Sequence, residues 1–155
     1  LSATPKDGTS VYKRAASIYY GAKSDLHTVC MVLQPREVGS MSVDGVWSSD
    51  IGGAYGWEAI GTVFFENGRL LGGGRNHYSS GSYREKPDGH IRFHLDINQF
   101  GKKRALFGRK SEQLSIDIRA RLDEKGKTIL GEATMPERPE YSIAVRFRKR
   151  GELPE

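Results

Sequence analysis

Cysteine is nearly missing from this chain. Cys30 is the only one among 155 residues, which excludes an internal disulfide and any metal site built from cysteines. Set within Val29 to Leu33, it reads as a small buried hydrophobe, although His27 three residues before it is the partner that a catalytic thiol would want. Long apolar runs are missing too. That same five-residue stretch is the longest, far short of the ~18 residues of a membrane-spanning helix, so no membrane span is expected. Leu1 to Tyr20 lacks the continuous apolar region of a secretory signal, and the expected location is cytoplasmic. Hydrophobic residues make up only 37% and charged residues 28%, so the core is modest but sufficient for one domain to fold alone.

Glycine, by contrast, is concentrated. Nine of the 19 glycines fall between Gly52 and Gly81, among aromatic and β-branched residues. Glycine at that density in strand-like sequence marks turns, bulges and sharp bends, the devices that curl a sheet into a barrel. The net charge of +5 is also uneven: residues 41–83 set two arginines against four carboxylates, whereas residues 84–155 set 17 Lys and Arg against 12 Asp and Glu. A basic C-terminal half favours anionic partners through long-range attraction, and is equally what a soluble surface looks like.

Residues 1–40 are a poorly defined extension, with no sustained period beyond a candidate helix from Val11 to Tyr20 and a candidate strand or helix over Leu26 to Leu33. Met41-Ser42-Val43-Asp44-Gly45 looks like a natural translation start, so the preceding segment is expected to be an extension or the product of an upstream start codon. The domain proper is placed at 41–150, followed by a short tail at 151–155.

Beyond Met41 the pattern is regular. Val43 to Trp47 reads as a short strand, and Glu58 to Glu66 as a second, followed by Asn67-Gly68, a favoured type I′ hairpin turn. Arg69 to Gly73 returns, and His77 to Tyr83 runs to the Pro87-Asp88-Gly89 turn. Ile91, Phe93, Leu95 and Ile97 alternate with Arg92, His94 and Asp96; Leu114, Ile116, Ile118 and Ala120 alternate with Ser115, Asp117 and Arg119. Thr128 to Ala133 and Tyr141 to Arg150 complete the series, the last with Ile143, Val145 and Phe147 inward. Successive period-two segments with turn chemistry between them predict an all-β protein, a single antiparallel up-and-down β-barrel of about eight strands. Small closed sheets bind more often than they catalyse, so binding is the expected class and catalysis the second.

No constellation points to chemistry, and neither a catalytic residue, a metal ligand nor a cofactor is assigned. Gly72-Gly73-Gly74 lacks the lysine and following helix of a phosphate loop and reads as a tight bend. His90 and His94 share a strand face but lie about 13 Å apart, too far for one ion. His77 is better placed for a site at a barrel rim. Trp47, Trp57, Phe64, Tyr78 and Tyr83 are the candidate lining of an internal cavity for a small apolar ligand, or else core. Lys102, Lys103, Arg104, Arg109 and Lys110 surround Phe107 and form a candidate patch for an anionic partner. Nucleic acid is ranked last for that patch, because carboxylates such as Glu112 and Asp117 follow it closely.

Gly45-Val46-Trp47 resembles the Gly-x-Trp signature of lipocalins and their calycin relatives. That resemblance implies a Trp plugging the closed end of the barrel against an Arg from the last strand, here Arg146 or Arg148. Asp44-Gly45-Val46-Trp47, Gly61 to Gly68, Leu71-Gly72-Gly73 and Tyr78 to Tyr83 together resemble GrlR-type negative regulators of type III secretion, over about residues 41–150. This resemblance implies a non-enzymatic bacterial homodimer that binds a partner protein, such as a transcriptional activator. The family's acidic partner loop falls at Glu85, Lys86, Pro87 and Asp88, where this chain keeps only half the acidity.

Overall fold

The computed structural model describes residues 42–155, and the elements expected before residue 42 lie outside them. Ten strands follow in chain order: β1 Gly45–Gly53, β2 Gly56–Glu66, β3 Arg69–Gly73, β4 His77–Glu85, β5 His90–Gln99, β6 Ala105–Leu106, β7 Arg109–Lys110, β8 Gln113–Leu122, β9 Thr128–Met135 and β10 Arg138–Gly151. Eight close into an antiparallel up-and-down barrel in the order β1-β10-β9-β8-β5-β4-β3-β2; β6 and β7 form a separate hairpin. Among the described residues the protein is all-β.

Most strands sit where alternation placed them, with two differences. β1 does not stop at Trp47 but continues to Gly53, because Asp50 and Ile51 pair with Arg146 and Val145 on one side and with Ala59 and Glu58 on the other. The β6–β7 hairpin was not expected from period or propensity. The Asn67-Gly68 turn is present, with φ of 49° and 78°, both positive as a type I′ turn requires. Gly81 has a different reason: a Cβ there would strike the carbonyl oxygen of His94 on the facing strand, so the barrel wall bends tightly where only hydrogen fits.

The two ends of the barrel differ, and residue size decides how. Strand parity turns Trp47, Phe65, Tyr83, Phe93 and Phe147 inward at one end, where all five are buried. Phe65 sits at their centre, with ring centroids 5.3 to 5.6 Å from the other four. The same strands, followed toward the other end, turn in small residues: Ser49 after Trp47, Gly61 before Phe65, Ser79 before Tyr83. One end is therefore plugged, and the other is left roomy.

Asp44 and Trp47 lock the plug. The Asp44 carboxylate accepts the Tyr83 hydroxyl at 2.7 Å and the Asn67 amide at 3.2 Å, and the Trp47 indole N–H donates to the Val43 carbonyl at 2.9 Å. Burial, and next the hydrogen bond to Asp44, push the Tyr83 phenol far above its ordinary pKa. The Arg expected against Trp47 is not there: neither Arg146 nor Arg148 lies opposite it. Trp47 pairs across the sheet with Lys149, and Lys149 Cε and the Trp47 indole nitrogen both border the space that a Cβ on Gly45 would fill. Arg146 and Arg148 pair with Asp50 and Ser48 and so lie one residue out of phase, on the outer face.

Candidate functional site

The roomy end holds a cavity of about 450 Å³. Its wall is aliphatic, with Val63, Leu95, Ile97, Ile116, Ile118 and Val145 among its residues, and Phe147 comes from the aromatic plug below. Ser49, Ser79 and Ala133 line it as well, and their small side chains are the reason that space exists. That volume falls in the range of roughly 300–1,000 Å³ usual for small-molecule sites.

A lid crosses the mouth. The segment between β5 and β8 folds back as the β6–β7 hairpin; its turn residue Phe107, at φ 52°, is buried in the core, and the half-buried Leu106 packs beside it. Gln99 holds the lid at its base. Its side-chain amide donates to the carbonyls of Ser111 (2.8 Å) and Arg104 (3.2 Å), and its oxygen accepts the Arg104 amide (2.9 Å). Further anchors are the Arg104–Glu58 ion pair at 2.7 Å, Arg138 donating to the Phe107 carbonyl at 3.3 Å, and Gly101 N–H donating to Asn76 O at 3.1 Å. The Arg104 hydrogen bond is the main reason the Glu58 carboxyl lies below its ordinary value.

The rim is polar and basic. Arg75, Asn76 and His77 come from the β3–β4 connection and the start of β4, and Lys102, Lys103 and Arg104 from the lid. Burial, and then the nearby Arg104 charge, hold the His77 imidazole below its ordinary value of 6.5. His77 thus borders the cavity.

The aromatic lining expected from the sequence is not what surrounds this space. Trp47 and Tyr83 belong to the plug. Phe64 and Tyr78 lie on the outside, 44% and 48% exposed, and Tyr78 stacks on Phe100 with centroids 6.3 Å apart. Trp57 faces outward under Arg146, whose guanidinium carbon lies 4.6 Å from its ring centre; Arg146 also binds Asp50 at 2.9 Å, and Arg148 joins at 3.2 Å. Parity and position decide the difference: strand alternation sends some of these aromatics out and the rest to the plugged end. Gln99 and the small inward residues were missed, although Gln99 continues the Ile91–Ile97 inward parity and was findable there.

The basic patch divides. Lys102, Lys103 and Arg104 border the cavity, whereas Arg109 and Lys110 form the lid's second strand, with Arg109 3.7 Å from Glu137. The candidate partner loop is at the opposite, plugged end. Glu85 accepts the Val43 amide at 2.9 Å, Asp88 pairs with His90 at 2.8 Å, and Lys86 and Pro87 complete the turn between β4 and β5. His94, four residues beyond His90, bonds Asp117 at 2.8 Å, and among the described residues no His, Cys, Asp and Glu group is arranged to hold a metal ion. No protein-family model and no curated protein sequence matches this chain.

Proposed function

We propose that this protein is a non-catalytic carrier of a small, largely apolar ligand held inside the barrel. The single observation behind this reading is the cavity of about 450 Å³, walled by aliphatic side chains and bordered by a hairpin whose Phe107 packs on the core. A barrel selected for stability alone would fill that end with larger residues, because an empty apolar space forfeits contact energy. Here Ser49, Ser79 and Ala133 keep it open. The outer faces of β5 and β8 carry Arg92, His94, Asp96, Asp117 and Arg119, which suits a barrel surrounded by water.

A second reading, regulation through contact with a partner protein as a homodimer, has a separate observation in its favour. Phe64 and Leu71 face each other across β2 and β3 on the outer wall, and Leu71 is 60% exposed. Exposed apolar pairs of this kind seed protein contacts. Native mass spectrometry of the tagged protein recovered from its own host, followed by denaturing release, separates the two. A co-purifying small molecule supports the carrier. A stoichiometric second protein with no small molecule favours the regulator.

A further inference from the structure

The charges around the cavity are one-sided. Among the described residues bordering it, Arg75, Lys102, Lys103 and Arg104 are cationic, and Asp50 is the one carboxylate. Asp50 is already engaged by Arg146 and Arg148, and Arg104 by Glu58. Among the described residues, Arg75, Lys102 and Lys103 make no ion pair. Three cations therefore stand at the edge of an apolar space with no counter-charge among the described residues, and low-dielectric walls concentrate their field at the mouth. A cationic head would be repelled there, and a neutral ligand would leave the field unused.

We propose that the ligand is an amphipathic anion, its apolar chain among Val63, Leu95, Ile116 and Val145 and its carboxylate or phosphate head at Arg75, Lys102 and Lys103. This rests on the carrier reading and adds the chemical class. The lid then has two roles: Phe107 covers the chain, and the segment before β6 supplies two of the three cations. His77, whose imidazole is held below its ordinary value by burial and then by Arg104, borders the same cavity and can hydrogen-bond the head.

The test compares one tail with four heads: decanoate, decyl phosphate, 1-decanol and decyltrimethylammonium, measured by calorimetry at low and at high salt. The expected order places both anions ahead of the alcohol and the alcohol ahead of the cation, with added salt weakening only the anions. Replacing Lys102 and Lys103 together by Gln is expected to weaken decanoate roughly tenfold and leave 1-decanol unchanged. Lys125→Gln/Lys127→Gln, which removes the same charge at the β8–β9 turn of the plugged end, should change neither. Whichever anion binds more tightly identifies the head as carboxylate or phosphate, and a preference for either supports the proposal. Equal affinity for alcohol and anions overturns it while leaving the carrier reading intact. Binding of none of the four overturns both.

Discussion

Trp47 and Tyr83 carry more of this barrel than their number suggests, because each joins the aromatic plug to a hydrogen bond. Trp47→Ala removes a fully buried ring beside Phe65 and should cost about 3–5 kcal/mol in urea unfolding. Tyr83→Phe keeps the ring but strips the Asp44 carboxylate of its hydroxyl donor, for a loss of about 1 kcal/mol. His77 makes a prediction of its own. Its pKa in the folded protein lies below 6.5, so as pH falls below 6.5 the unfolded chain takes up the proton first. Its contribution to stability is full above 6.5 and is lost as pH drops through the folded value. His94 works in the other direction: the hydrogen bond to Asp117 raises its pKa, and its contribution is lost as pH rises through the folded value. Melting temperatures between about pH 7 and pH 5 should therefore fall less steeply on the acid side for His77→Gln than for the parent protein. An unchanged slope would contradict this account of His77.

Strands were legible in this chain wherever period two ran unbroken, as from Ile91 to Ile97 and from Leu114 to Ala120, because one-sided burial enforces the alternation. The lid was not. Between Gln99 and Gln113 the sequence offers charge and glycine without a period, and it looks like a solvated basic loop. What folds it back is supplied from far along the chain: Glu58 for Arg104, Asn76 for Gly101 and Arg138 for Phe107. Gln99 is the nearest of these anchors, and it is buried. Gln99→Ala deletes three hydrogen bonds and should lower global stability by about 1–3 kcal/mol. Hydrogen exchange should localise the effect, with the Arg104 amide accelerated well beyond those of β8 and β9. Equal acceleration throughout the barrel would mean that the hairpin does not open separately from the barrel.

The molecule as a whole was half legible. Closure of eight antiparallel strands follows from the count of alternating segments and the glycine density, and the structure has it. The difference between the two ends does not follow from composition, since it depends on which inward position along each strand receives Phe or Ser. Only with the register known do Trp47, Phe65, Tyr83, Phe93 and Phe147 collect at one end and Ser49, Ser79 and Ala133 near the other. That gradient of size makes the cavity, and the carrier reading stands on it. The most direct measurement is a methyl-resolved NMR titration with 1-decanol, whose head carries no charge. The account predicts shifts concentrated in Ile51, Leu95, Ile116 and Val145, inside the barrel, with the Leu71 methyls on the outer wall undisturbed. Shifts centred on Leu71, or none at concentrations that saturate comparable cavities, would contradict it.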